Sequence, residues 1–188
     1  RLDIGSVELG VNYVLIISTN AGLWGYNTGD TVSFTSKFPH KIIVTGRYNH
    51  FISAFGEHVI SSEVEKAMSD SLQLCDVSVN EFTVAPKVSD NRGESCHEWW
   101  IEFNKKPKKE EIKKLEVYLQ KSIRIQNSYY NDLAEGKVLK PLKIIVVSVN
   151  SFKKFMKNKG KLGGQNKLPR LCNNREIVSQ LDQYRVKK

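Results

Sequence analysis

Three glycine-bearing segments hold the residues of this 188-residue chain best suited to chemistry. The first, Gly22-Leu23-Trp24-Gly25-Tyr26-Asn27-Thr28-Gly29-Asp30, ends on a carboxylate. Its glycines allow the sharp turns that bring Asp30 to a loop edge. There Asp30 can accept two hydrogen bonds from a ribose diol, or simply cap its own turn. The second segment runs from Gly46-Arg47-Tyr48-Asn49-His50 to Gly56-Glu57 and on to Ser62-Glu63-Val64-Glu65. Arg47 is a pre-organised donor for ribose or phosphate oxygens, and a glycine beside polar residues at a domain junction can absorb a backbone rotation. The plainer reading is a surface arginine ahead of an ordinary strand and helix. The third segment is Gly160-Lys161-Leu162-Gly163-Gly164-Gln165-Asn166-Lys167-Leu168-Pro169-Arg170. It is not a P-loop, because no Gly-Lys-Ser/Thr closes it and no helix starts there. It does place lysines on a loop, from which an ammonium can stabilise charge developing during group transfer. A solvated basic loop would read the same.

Metal and disulfide chemistry are not expected. Cys75, Cys96 and Cys172 are odd in number, widely spaced and without a Cys-x-x-Cys, which suits a reducing cytoplasm. Cys96-His97 offers two ligands, but no second pair follows at a useful spacing.

The elements that must position these segments divide into two parts. Over the first 45 residues the chain reads as antiparallel β, with Asn12 to Thr19, Thr31 to Phe34 and Lys41 to Thr45 as strands and Asn20-Ala21-Gly22 as a turn. So few strands cannot close a core alone, and they read as the edge of a larger sheet or barrel. From Gly46 the pattern becomes α+β. Phe51 to Ala54 suits a short strand, and Ser62 with Glu65 forms a capping box ahead of a helical stripe of Val64, Ala67, Met68 and Leu72. Asp76 to Val84 and Glu98 to Phe103 alternate as strands, the second with Trp99, Ile101 and Phe103 on one side. A polar loop, Val88 to Ser95, joins them. Pro107 is suited to the first turn of a helix whose buried stripe is Ile112, Leu115, Leu119 and Ser122 or Ile123. A Tyr-rich segment (Asn127 to Leu133), a strand (Leu142 to Val147), a short helix with Phe152, Phe155 and Met156, and a last helix near Arg175 to Val186 complete the reading. No internal repeat is visible. The predicted fold class is α+β: a short antiparallel segment, residues 1–46, then a small domain, residues 47–188, with a roughly three-stranded sheet and flanking helices.

Composition narrows the function classes. No stretch approaches the roughly 20 apolar residues of a membrane span, and Arg1-Leu2-Asp3 leads into a mixed polar stretch unlike a signal peptide. The net charge of +9 is uneven, since residues 137–188 carry 14 Lys/Arg against only Glu176 and Asp182. A positive end of this kind attracts polyanions, whether nucleotide phosphates, nucleic acid or an acidic membrane surface. A basic nucleic-acid module should interleave exposed aromatics with its bases. Here Trp99 and Phe103 sit among Glu98 and Glu102, which argues for core, and neither nucleic acid nor membrane is the expected partner.

Taken in order, the three segments resemble a known set. Tyr26-Asn27-Thr28-Gly29-Asp30 resembles the Tyr-Arg-Thr-Gly-Asp motif of acyl-adenylate-forming enzymes, and Gly46-Arg47 through Glu65 is similar to their hinge motif. Within that superfamily the chain looks most like the auxin-responsive promoter family of acyl-acid amido synthetases. The cues are Val11-Asn12-Tyr13-Val14-Leu15-Ile16-Ile17, Ala21-Gly22-Leu23-Trp24, Thr45-Gly46-Arg47, His50-Phe51-Ile52, Ala54-Phe55-Gly56-Glu57 and Asn166-Lys167-Leu168-Pro169-Arg170. Three positions depart from the superfamily pattern. Asn27 stands where many relatives carry Arg, Asn49 replaces Asp or Lys, and the Lys167 segment fits the amido-synthetase pattern rather than Pro-x-x-x-x-Gly-Lys.

The resemblance implies the C-terminal portion of an ATP-dependent ligase, with the edge of a large N-terminal domain over residues 1–46 and a mobile domain hinged near 47–50. Such an enzyme adenylates a carboxylic acid and passes the acyl group to an amino acid's amine. ATP and Mg2+ would be held mainly by the large domain, outside this chain. By resemblance Asp30, Arg47 and Tyr26 would bind the nucleotide, with Asp30 on the ribose hydroxyls. Asn49 would occupy the hinge, and Lys167 would touch the carboxylate and α-phosphate during adenylation. An acyl-CoA ligase shares the first half-reaction and is the alternative within enzymes.

Overall fold

The computed structural model describes residues 1–47, 51–89, 94–161 and 167–186. The N-terminal strands are β1 (Asn12–Ile17), β2 (Tyr26–Lys37) and β3 (His40–Arg47), an antiparallel sheet in the order β1-β2-β3. Both β2 and β3 run longer than their apolar cores suggest. The tight Phe38-Pro39 connection pairs Lys37 with His40, and the ladder continues from there to Asp30 and Arg47. One face is covered, with Val7, Val32 and Phe34 buried and Tyr13 set edge-on to Phe34 at 6.0 Å. On the rest of the sheet Ile16, Ile42, Ile43 and Val44 stand exposed, as do Trp24 and Phe38 beyond the strand ends.

The remainder builds a second, better-filled layer structure. A two-stranded ribbon of β4 (Phe51–Ile52) and β5 (Val59–Ile60) leads into α1 (Ser61–Leu72). Then come β6 (Val79–Lys87), β7 (Cys96–Phe103), α2 (Lys109–Gln126), α3 (Ser128–Glu135), β8 (Lys143–Val147), α4 (Ser151–Asn158) and α5 (Glu176–Leu181). The sheet order is β6-β7-β8, with β6 antiparallel and β8 parallel to the central β7. Parallel pairing of β7 with β8 requires a crossover, which α2 and α3 supply. All of β7 is buried because helices cover both faces. Trp99, Ile101 and Phe103 pack with Val64, Leu115, Leu119 and Ile123. On the other side Trp100 packs with Phe152, Phe155, Val178 and Leu181. The predicted one-sided alternation of β7 is therefore right for its odd positions, while its even positions face a second core. The architecture is α+β, as the sequence predicts.

Two local expectations are corrected, and one segment left without an element gains one. Helix α1 begins one residue earlier than its predicted cap: Glu63, not Glu65, turns back to accept the Ile60 N–H at 3.0 Å. Ile60 has no side-chain acceptor to return the bond, so only half of a capping box forms. Pro107 lies outside α2, whose first turn is instead closed by Glu111 accepting the Lys108 N–H at 2.6 Å. The Tyr-rich segment is itself helical, as α3, because Asn127 caps it by accepting the Tyr130 N–H at 2.8 Å.

Asn127 also donates to Glu63, tying the start of α3 to the start of α1. Burial raises the Glu63 carboxyl above its usual range, opposed by the Ile60 N–H and by Asn127. Substituting Asn127 with alanine is expected to cost about 1 kcal/mol, read as a shift in the urea midpoint. An unchanged midpoint would mean that water replaces the cap without loss.

Candidate functional site

The Thr28-Gly29-Asp30 step is where β2 departs from regular pairing. Val14 faces Thr31 and Ile16 faces Asn27, so β2 spends extra residues between them as a bulge. Gly29 takes φ +79°, open to glycine without strain. Side chains hold the bulge: the Thr28 hydroxyl donates to the Leu15 carbonyl at 3.1 Å and accepts from Asp30 N–H at 3.2 Å. Asn27 Oδ1 accepts from Gly29 N–H at 2.9 Å. Asn27 thus has a backbone role that its place in the motif did not suggest.

The bulge sets Asp30 directly across from Arg47, their Cα atoms in register, with Arg47 Nε 3.4 Å from Asp30 Oδ1. Their side chains are 34% and 67% exposed, so the pair faces water and contributes little to stability. It offers an acceptor and a planar donor side by side, which fits a ribose diol and an adjacent phosphate. Tyr26 begins β2 opposite Ile17, with its ring half exposed. Asn49 lies outside the described residues.

Lys167 belongs to a different cluster. The segment 167–172 runs along the outer edge of β6: Thr83 Oγ1 donates to the Pro169 carbonyl, Val84 N–H to Arg170, and Cys172 N–H to Val84. Leu168 is buried in the second core. The chain that follows Lys167 is anchored to β6 from Pro169 onward, and Lys167 itself is exposed. A groove of about 540 Å³ opens beside it, lined by Glu65, Glu81, Glu102, Lys153, Lys167 and Arg170 over Phe152 and Met156. Arg170 is committed, pairing with Glu81 and with Glu65 (3.3 Å), its guanidinium over the Phe82 ring at 4.8 Å. Among the described residues no ion pair joins Lys167 to Asp30. The link between the two clusters is α1: Gly46 packs on Ser61 at the helix start, and Glu65 one turn later meets Arg170.

Sequence reasoning missed one buried pair. His97 Nε2 lies 2.8 Å from Glu57 Oε1, with side chains 2% and 0% exposed. Glu57 Oε2 also accepts from Phe55 N–H at 2.8 Å, and the His97 ring stands edge-on to Tyr130 at 5.1 Å. Burial pushes the Glu57 carboxyl up, but the His97 and backbone hydrogen bonds together hold it below its usual value. The partners are 40 residues apart, and no local pattern marks them. Among the described residues no three His, Cys, Asp or Glu side chains converge on a metal-sized site, and no helix is long and apolar enough to cross a membrane.

The model of the GH3 family C-terminal domain matches residues 62–176, and that of the GH3 family central domain matches residues 1–47. A probable indole-3-acetic acid-amido synthetase, GH3.1 of Arabidopsis thaliana, is 27% identical across 96% of this chain. A second Arabidopsis thaliana relative, indole-3-acetic acid-amido synthetase GH3.4, is 25% identical across 96%. In each case the chain spans about a third of the relative's length, 32%. The solved structure of the GH3.15 acyl acid amido synthetase shares the fold, with a TM-score of 0.77 at 21% identity. That likeness covers 99% of this chain and 36% of the other.

Proposed function

The chain belongs to the GH3 family, and from that premise we propose that it is the C-terminal portion of an ATP-dependent acyl-acid amido synthetase. A carboxylate oxygen attacks the α-phosphorus of ATP, and the bond to the β-phosphate oxygen breaks, releasing pyrophosphate. The acceptor's amine nitrogen then attacks the acyl carbon of the acyl-AMP, AMP leaves, and the amine gives up a proton to form the amide. The observation that carries this reading is the Asp30–Arg47 pair, solvent-facing and fixed by a bulged strand.

In this reading Asp30 accepts the ribose hydroxyls and Arg47 braces Asp30 while donating to the ribose. Tyr26 lies along the same nucleotide path. Lys167 offsets charge at the α-phosphate during adenylation, where a placed donor contributes several kcal/mol. Mg2+ accompanies the triphosphate and takes its ligands chiefly from outside this chain. The domain boundary falls at residues 46 and 47, and Asn49 is the hinge position. Rotation there brings the Lys167 cluster toward the Asp30 cluster for one half-reaction and away for the other. The three free cysteines suit a cytoplasmic setting. A nucleic-acid module is disfavoured because Trp99, Trp100 and Phe103 are core residues rather than a stacking surface.

The test is carboxylate-dependent ATP–pyrophosphate exchange by the full-length gene product over aryl and fatty acids, followed by product analysis with amino acids and with coenzyme A. Exchange with at least one acid and an amide product are expected, and residues 1–188 alone should give no exchange. Silence across the panel with no ATP binding, or robust exchange by residues 1–188, would sink the proposal.

A further inference from the structure

Lys153 and Lys167 both line the groove beside β6, yet among the described residues neither has a carboxylate within ion-pair distance. The acids around them are already engaged. Glu81 and Glu65 hold Arg170. Glu102, itself buried, accepts from Asn80 and from the Phe152 N–H at 3.2 Å. The neighbouring lysine on α4 takes another course, with Lys154 Nζ 6.0 Å from the Tyr184 ring centre. The groove therefore presents two uncommitted ammonium groups over an apolar floor of Met156, Leu168 and Phe152.

Two free cations above apolar surface complement an anionic head group attached to an apolar body. A carboxylate of a small amphiphile fits this, and so does a phosphate carried by the nucleotide. Lys167 is assigned to the nucleotide in the proposed mechanism, which leaves Lys153 to hold a second anion in the same groove. We propose that Lys153 binds the α-carboxylate of the amino acid acceptor, whose apolar side chain rests on Met156 and Leu168. The acceptor's amine would then lie on the Lys167 side, toward the acyl carbon. This inference rests on the amido-synthetase reading and adds a binding subsite and a substrate class, amino acids with apolar side chains.

The experiment compares Lys153→Gln and Lys153→Arg in the full-length enzyme, using free amino acids and their methyl esters as acceptors. Lys153→Gln is expected to raise the acceptor KM about tenfold, the loss of one charged hydrogen bond, while pyrophosphate exchange is unchanged and Lys153→Arg recovers most of the loss. With a methyl ester, which lacks the carboxylate, the same substitution should have no effect. An unchanged KM for the free amino acid would overturn the inference. So would a raised KM for ATP or pyrophosphate in the exchange assay, which would assign the groove to phosphate. Absence of exchange in the unaltered enzyme would instead bring down the ligase reading itself, and the subsite with it.

Discussion

Replacing His97 with leucine is expected to destabilise the chain by about 3 kcal/mol, the cost of leaving a buried carboxylate without its side-chain hydrogen-bond partner. Glu57 would keep the Phe55 N–H but lose the 2.8 Å contact that opposes its desolvation. The sign of the pH dependence separates this from a simple packing loss. In the native chain the Glu57 pKa is depressed from 4.5, so its contribution is fully present above that value and is lost as pH falls through the depressed one. Without His97, burial, the largest influence on Glu57, outweighs the backbone hydrogen bonds that remain and raises its pKa. The folded state then binds the extra proton, and stability rises as pH falls. Urea denaturation at pH 7 and pH 5 should therefore show a deficit that shrinks at the lower pH. A deficit under about 1 kcal/mol, or one that does not change with pH, would mean that Glu57 carries no charge in the fold. Glu57→Gln keeps the shape and a hydrogen-bonding amide, and should cost less than His97→Leu.

This pair also marks the boundary of what the sequence could reveal. Periodicity finds α1, α2 and β7 because a helix or strand writes its buried face at fixed spacing. Leu115, Leu119 and Ile123 are legible for that reason. The same signal cannot report that a strand is covered on both sides, so Trp100 gave no hint of the second core. Asp30 and Arg47 were singled out separately, and their meeting depends on a register set by the Phe38-Pro39 hairpin and the Gly29 bulge. The groove is harder still. It assembles Glu65, Glu81, Lys153 and Lys167 from four elements, and only the packing shows which of the lysines lack an acid partner. Lys153 looked like any other residue of a solvated basic face.

Lys167→Ala in the full-length enzyme is expected to lower carboxylate-dependent pyrophosphate exchange by roughly 10²–10³-fold, the range found when one preorganised donor to a developing charge is removed. The exposure of Lys167 and the anchoring of the residues that follow it make the substitution a clean test. Pro169 and Arg170 are hydrogen-bonded to β6 and Leu168 is buried, so the exposed Lys167 side chain can be truncated without loosening the segment. The urea midpoint should consequently stay within about 0.5 kcal/mol of the native value. The two half-reactions should respond differently. Supplied with a preformed acyl-adenylate, the variant should still transfer the acyl group to an amino acid at near-native rate, because no charge then develops at the α-phosphate from carboxylate attack. Equal losses in both half-reactions would place Lys167 in general substrate binding rather than adenylation. No loss in either would remove it from the site, and the charge-neutralising role would have to pass to another cation. Arg170 is poorly suited to that role, since moving it would leave Glu81 and Glu65 without their partner.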